Sequence, residues 1–412
     1  MKGNFSKFIF FFVTLILYSY FILTADAYAL TKNQKLLLES WDLLNTSYLD
    51  DTFNHQNWHL VRQDLLKYSL KTREDTYKAI DEMLITLDEP FTRLLRPEQY
   101  HNLQIETSGE LLGVGLRIQV NSKTGDLEVI SSLKNSPAYF AGIRSHDLVL
   151  EIDGISTNSL TLDQAAEKMR GPIGTEITLT IFSSQDKKIY QNKIIRKHIS
   201  LSPLIVNIEK TLPNLFIGYI RLDKFSANAA EEMKKAIEKL RKEGAKSYIL
   251  DLRDNPGGLL QGGIDIARLW MNKGTIVYTI NRQGIQDSFS SFGTPLTNAP
   301  LVLLVNKGTA SSSEILAGAL QDSKRAILLG ERTFGKGLIQ SLFELSDNSS
   351  LAITVARYET PNHRNIHKLG IQPDRFISEG PLTYDEIATV KDTQYQEAIK
   401  FLKEKNRLLE DG

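Results

Sequence analysis

The second half of this chain alternates short apolar segments with amphipathic ones, and this alternation restricts the folds open to it. The apolar segments have the length of buried strands and span residues 215–222, 247–252, 301–305 and 326–329. The amphipathic segments between them have helical spacing and span residues 227–241, 261–270 and 314–320. Strands that alternate with helices predict an α/β layered domain, which we place at residues 200–412 with a charged helix at its C-terminal end.

Residues 108–199 have a different pattern, with short alternating strands and two brief helices, and predict a separate β-rich module. Its first strand follows a glycine-punctuated loop formed by Gly113, Val114, Gly115 and Leu116. Backbone amides in such a loop can hold a terminal carboxylate, and the strand can accept a peptide as an added strand. A plain β-hairpin domain explains the same glycines, so the residues leave both interpretations open.

The N-terminal part of the chain combines an export signal with a helical region. Two lysines, Lys2 and Lys7, precede a 16-residue apolar run, Phe8–Leu23, and small residues suited to cleavage follow it. A helix of that length reaches about 24 Å, short of a hydrocarbon core of about 30 Å. We therefore expect a cleaved signal peptide at residues 1–29 rather than a retained anchor, and a helical region at residues 30–107.

Composition excludes several classes of function. The chain has no cysteine, which removes thiol catalysis, disulfides and thiolate metal sites. Acidic and basic residues balance at 49 each, so no net field favours nucleic acid. Four of the seven histidines form two pairs with i, i+4 spacing, His55/His59 and His363/His367, and the chain has no HExxH motif. We expect no metal and no cofactor.

A serine cluster begins at Ser311, where the strand at residues 301–305 and a Lys307–Gly308 turn lead into a predicted helix. The free amides of a helix N-terminus can receive the negative charge that develops when a serine attacks a carbonyl. The same residues also form a capping box, Ser311-x-x-Glu314, which requires no catalysis. The serines alone do not decide between nucleophile and cap.

A serine nucleophile needs a base, and the segment offers Lys336, 25 residues after Ser311 and flanked by glycines. A neutral amine can act as base where burial lowers its pKa. If residues 336–340 form a strand, Gln340 shares a face with the lysine and can orient it. The turn at residues 251–258, DLRDNPGG, can aim a backbone N–H into the same cleft. An exposed loop lysine and an ordinary strand-to-helix turn are the alternatives.

Several motifs in this order resemble the signature of carboxyl-terminal processing peptidases, which are serine–lysine endopeptidases with a PDZ domain. They are DLRDNPGG, GTASSSEILAGALQD, GERTFGKGLIQ, SPAYFAGIRSHDLVLEIDG, MRGPIGT and LGIQPD. The resemblance covers nearly all of the mature chain. It implies that Ser311 is the nucleophile and Lys336 the general base, with Gln340 orienting the lysine. It also implies an oxyanion hole formed by the amides of Ser312 and Gly257.

One departure is that Ser312 stands where the family commonly has a small residue, often alanine, but only its amide is needed. The segment TFNHQNWHLVR at residues 52–62 resembles the cyanobacterial and chloroplast branch. Members of that branch remove a C-terminal extension from the photosystem II reaction-centre precursor in the thylakoid lumen. The resemblance thus implies a protein C-terminus as substrate and transient proximity to a membrane-embedded protein, in the periplasm or lumen.

Two rival functions remain at this stage. The PDZ-like module could serve a non-catalytic peptide-binding scaffold, although Ser311, Lys336 and Gln340 are all present. An acyl-transfer hydrolase acting on a non-peptide ester would use the same dyad, but the PDZ-like module favours peptide. Arg170, near the end of that module's second helix, is a candidate contact at the domain junction.

Overall fold

The computed structural model describes residues 30–121, 124–212, 215–284, 286–378, 380 and 382–410, and the predicted signal peptide at residues 1–29 lies outside them. Within these ranges, no helix has the length and apolar character needed to cross a membrane. Internal contacts divide the chain into two units, one made of residues up to 96 with 341–353, the other of 97–340 with 354 onward. The three-part division at residues 30–107, 108–199 and 200–412 stays a prediction.

The first unit is largely helical, as predicted. Its elements are α1 (Lys32–Ser47), α2 (Trp58–Leu65), α3 (Arg73–Ile85) and β1 (Arg93–Leu95). Strand β1 pairs antiparallel with residues 350–352. The apolar residues Leu37, Trp41 and Leu44 of α1 are buried. Trp58 at the start of α2 is also buried, and its ring stacks on Phe53 with centroids 4.6 Å apart.

The β-rich module is formed by short elements. They are α4 (Pro97–Ser108), β2 (Glu110–Gly113), β3 (Leu116–Val120), β4 (Leu127–Ser132), α5 (Pro137–Phe140), β5 (Leu148–Ile152), β6 (Ile155–Ser156), α6 (Leu162–Met169), β7 (Glu176–Phe182), β8 (Ile189–Ile195) and β9 (Lys197–Ser200). The main sheet has the order β3–β4–β5–β7–β8, so β3 lies at its end. The two brief helices that the sequence predicts in this module correspond to α5 and α6.

The α/β part follows in the predicted alternation. Its elements are β10 (Leu204–Leu212), β11 (Leu215–Leu222), α7 (Ala229–Lys242), β12 (Ala245–Asp251), α8 (Leu260–Trp270), β13 (Lys273–Asn281), β14 (Gln286–Phe292), β15 (Leu301–Val305), α9 (Ser312–Asp322), β16 (Ile327–Gly330), β17 (Leu338–Glu344), β18 (Ser350–Glu359), β19 (Arg375–Phe376) and α10 (Thr393–Glu410). The central sheet has the order β10–β11–β12–β15–β16–β19. Its strands are parallel except β10.

Both faces of the central sheet are covered, which explains why its strands read as continuous apolar runs rather than alternating ones. Helices α7, α8 and α9 contribute buried side chains such as Met233, Trp270 and Leu316 to the core on one face. Helix α10 contributes Ile399 and Leu402 to the core on the other. This arrangement confirms the α/β layered fold expected from the sequence.

The start of α10 is tied to the sheet by a buried ion pair. The Arg253 guanidinium donates to Asp392 Oδ2 at 2.6 Å and to Asp251 Oδ2 at 2.7 Å, and all three side chains are at most 3% exposed. Burial alone would raise the pKa of Asp392, but the hydrogen bond and charge of Arg253, together with the backbone amides of Ala388 and Tyr395, hold that pKa below its usual range. The carboxylate is therefore the form that the folded state prefers.

We predict that Asp392→Asn lowers the free energy of unfolding by about 2 kcal/mol at neutral pH, because the buried Arg253 guanidinium then keeps only one of its two carboxylate partners, Asp251. Since folding lowers the pKa of Asp392, the stability it contributes is complete above the unfolded-state pKa of about 3.9 and is lost as pH falls through the lower folded-state value. Urea unfolding at neutral and acidic pH measures both effects. Lys391→Ala, which removes an exposed pair with Glu386, is the matched control and should change little. Equal stability of the two variants would contradict this account.

Candidate active site

Three loops meet at one edge of the central sheet because the strands that precede them are neighbours and run parallel. Strands β12, β15 and β16 end at Asp251, Val305 and Gly330, and the backbone register places these ends side by side. The loops that follow carry the predicted oxyanion turn, the serine cluster and the lysine. The carboxyl edge of a parallel sheet is where such proteins bind ligands.

Ser311 lies on a strained turn between strand β15 and helix α9. Its backbone has φ 58° and ψ −120°, a conformation that a residue with a side chain adopts rarely. Strain of this kind costs roughly 1–3 kcal/mol and is concentrated at functional sites. In α/β-hydrolases a serine on a sharp strand-to-helix turn projects its hydroxyl out of the sheet toward the substrate. A simple helix cap would not require this backbone.

Hydrogen bonding separates the three adjacent hydroxyl groups. Ser312 Oγ donates to the Gly258 carbonyl at 3.0 Å, and Ser313 Oγ donates to the Asn255 carbonyl at 3.0 Å. Both of these serines are buried, whereas Ser311 is partly exposed. The second and third serines therefore anchor the helix to the neighbouring loop, which leaves Ser311 as the residue suited to attack a substrate.

The loop at residues 254–258 packs directly against the serine turn. The Ala310 amide donates to the Asn255 carbonyl at 3.0 Å. Gly257, with φ +97°, lies so close that an added Cβ would be 2.8 Å from Ser311 Cβ and 3.0 Å from the Ser312 nitrogen. Only glycine permits this approach. The Gly257 N–H itself donates to Asn255 Oδ1 at 2.9 Å.

Glu314 joins the serine turn to the lysine loop. Its Oε2 accepts the backbone N–H of Ser311 at 2.9 Å and that of Lys336 at 2.8 Å. Its Oε1 accepts the Gly335 N–H at 2.7 Å and the Thr333 hydroxyl at 2.6 Å. The single oxygen Oε2 therefore holds the backbones of Ser311 and Lys336 close together, because each donates one hydrogen bond to it. The sequence signal for this residue was the capping box, which predicted its contact with Ser311 and not those with the lysine loop.

The carboxylate of Glu314 is fully buried and faces four donors. Burial raises the pKa of Glu314 above its usual value, and the hydrogen bonds from Thr333 and from the amides of Lys336, Gly335 and Ser311 offset only part of that rise. Since all four partners donate, only the ionised carboxylate satisfies every one of them. The connection between serine and lysine therefore depends on a single buried charge.

Lys336 and Gln340 do not share one face of a strand, which was the arrangement considered above for Gln340 to orient the lysine. Strand β17 begins at Leu338, so Lys336 precedes the strand instead of sharing its face with Gln340. The condition set above, a strand over residues 336–340, is not met at its first two residues, where Gly337 lies so close to His367 that an added Cβ would be 2.8 Å from the His367 nitrogen. The Gln340 amide donates to Thr354 Oγ1 at 3.0 Å.

In the β-rich module, the glycine loop is fixed by backbone contacts. The Val114 and Gly115 carbonyls accept the amides of Ala138 and Leu133, each at 2.9 Å. Leu116 begins β3, whose described partner is β4, so its other edge is open for an added strand. Arg170 caps the end of α6, where its Cα would lie 3.5 Å from a Cβ added at Gly113, and its guanidinium donates to Asn102 Oδ1 on α4 at 3.3 Å.

The chain matches known proteins over nearly its whole length. Residues 216–377 match Peptidase family S41, and residues 102–182 match the PDZ domain. The carboxyl-terminal-processing protease of Synechocystis sp. is 57% identical over 379 residues, covering 92% of this chain and 89% of that protein. The chloroplastic carboxyl-terminal-processing peptidase 2 of Arabidopsis thaliana is 43% identical over 375 residues, covering 87% and 72%.

A solved structure supports the same assignment. The photosystem II D1 C-terminal processing protease superposes with a TM-score of 0.55 at 36% identity, covering 84% of this chain and 94% of that one. A lipoprotein from Streptococcus agalactiae, at 14% identity and a TM-score of 0.53, shares the fold. This chain belongs to the carboxyl-terminal-processing proteases, which are serine peptidases of family S41 carrying a PDZ domain.

Proposed function

We propose that this serine peptidase cleaves proteins near their C-termini with a dyad of Ser311 and Lys336. The Ser311 hydroxyl attacks the scissile carbonyl carbon, and the Lys336 amine accepts the hydroxyl proton. The resulting ammonium group then protonates the departing peptide nitrogen, which leaves an acyl-enzyme on Ser311. Water hydrolyses this ester when the Lys336 amine accepts a proton from the water and returns it to the Ser311 oxygen. The observation that carries the proposal is the Glu314 carboxylate, since its Oε2 binds the backbone N–H groups of both residues.

We further propose that the amides of Ser312 and Gly257 receive the oxyanion, and that Gln340 orients the lysine. The Ser312 N–H lies in the first turn of α9, where no intrahelical acceptor exists. The Gly257 N–H is already bonded to Asn255 Oδ1, so it must turn toward the developing oxyanion when substrate is bound. The Gln340 side-chain nitrogen donates to Thr354, and the side-chain oxygen is the atom that would accept a hydrogen bond from the lysine amine.

The substrate we propose is the precursor of the photosystem II D1 protein, because that is the protein that a relative with a solved structure is named for processing. Cyanobacterial and chloroplast relatives support a location in the periplasm or thylakoid lumen, next to a membrane-embedded substrate. The alternative of a non-catalytic scaffold does not explain the strained backbone of Ser311, which costs stability without serving peptide binding.

We predict that Ser311→Ala and Lys336→Ala each lower kcat by at least about 10³-fold, because nucleophile and base act as a unit. Mass spectrometry of a precursor C-terminal peptide incubated with each purified variant measures the cleavage directly. Ser323→Ala and Lys324→Ala, at the other end of helix α9, are matched controls and should cleave like wild type. Turnover by a folded Lys336→Ala protein at neutral pH would refute the dyad.

We also propose that the PDZ domain selects substrates by their terminal carboxylate. The loop of Gly113, Val114, Gly115 and Leu116 lies at the start of the sheet's end strand, where an added strand brings its C-terminus to the loop amides. Leu116 and Ile118, which pack against the apolar core of the module, suit an apolar terminal residue. Arg170, bonded to Asn102 in α4, is the contact that we propose at the domain junction.

A peptide substrate and its C-terminally amidated twin should therefore differ. We expect amidation to lower kcat/KM by at least about tenfold, since a charge-assisted hydrogen bond is worth roughly 1.5–3 kcal/mol. Steady-state kinetics on both peptides with an unchanged scissile sequence provides the measurement, and Ser311→Ala sets the background. Equal kcat/KM for the two peptides would show that the terminal carboxylate is not recognised.

A further inference from the structure

Tyr358, on strand β18, contacts the same two residues as Glu314 but from their carbonyl side. Its hydroxyl donates to the Lys336 carbonyl at 2.6 Å and lies 3.1 Å from the Ser311 carbonyl. The side chain is 1% exposed, and its own N–H donates to the Gly337 carbonyl at 3.0 Å. Glu314 binds the N–H groups of residues 311 and 336, and Tyr358 binds their C=O groups.

We propose that Tyr358 is a positioning residue, which sets the separation of nucleophile and base by bridging the carbonyls of Ser311 and Lys336. This inference rests on the proposed dyad. A single hydroxyl proton shared between two carbonyls holds both only while they stay close together, so the bridge responds to their separation. Tyr358 acts through the backbones of the two residues and contacts neither the substrate nor the reacting atoms.

The surroundings of the hydroxyl suit a permanent donor. Burial, followed by the nearby charge of Glu314, raises the pKa of Tyr358 well above its usual value, so the phenol keeps its proton over the working range of the enzyme. Strand pairing fixes the backbone, because Tyr358 lies opposite Thr279 of β13. The sheet therefore holds the ring in place, and the hydroxyl faces the carbonyls of Ser311 and Lys336.

Tyr358→Phe removes the hydroxyl and keeps the ring. Tyr248→Phe is the matched control, since Tyr248 is also fully buried in the α/β core and no described group bonds to its hydroxyl. We expect Tyr358→Phe to lower kcat at least about tenfold with KM nearly unchanged, because a displacement near 1 Å can cost about 10²-fold. Tyr248→Phe should keep wild-type kcat and KM.

To separate positioning from peptide binding, the loss of kcat is measured with a small activated ester as well as with the peptide. A displaced dyad slows acylation by either substrate, so Tyr358→Phe should lose the same factor on both. A kcat within about twofold of wild type would overturn the proposal. So would a loss confined to the peptide, a rise in KM that accounts for the loss, or a Tyr358→Phe protein that does not fold. If wild type is active and Ser311→Ala is not, the proposed function stands whatever Tyr358→Phe shows.

Discussion

The active site depends on one buried interaction, the acceptance of four donors by the Glu314 carboxylate. Two of these donors are the backbone N–H groups of Ser311 and Lys336. The other two belong to Thr333 and Gly335, which directly precede Lys336 in its loop. A buried carboxylate is costly unless it is fully hydrogen-bonded, and here each oxygen accepts two hydrogen bonds. The same charge therefore stabilises the first turn of α9 and holds the lysine loop beside it, so that the helix start and the candidate site depend on one carboxylate.

The sheet determines where this interaction forms. Because β12, β15 and β16 are parallel neighbours, the loops after them leave the same edge, and each contributes one part of the site. The contact of Gly257 with the Ser311 turn is possible only without a side chain, and the bonds of Ser312 and Ser313 to the glycine-rich loop hold the two together. The strained backbone of Ser311 is retained because these contacts over-determine it.

Much of the fold could be predicted from the sequence because its local patterns agree with its tertiary role. Strands 215–222 and 301–305 have the predicted bounds, since burial on both faces leaves one choice. The strand geometry considered for Lys336 and Gln340 does not occur, because local alternation cannot show that Gly337 lies against His367 and that the strand begins only at Leu338. The motifs indicated the dyad, whereas Tyr358, 47 residues from Ser311, carried no local signal.

The central claim is that Ser311 is the nucleophile and that Lys336 activates it. Reaction of the purified protein with an alkyl fluorophosphonate at neutral pH, followed by digestion and tandem mass spectrometry, locates the reactive hydroxyl among the three adjacent serines. The account predicts a single adduct on Ser311, formed at least about 10²-fold more slowly in folded Lys336→Ala protein. An adduct on Ser312 or Ser313, or equal labelling rates with and without the lysine, would contradict it.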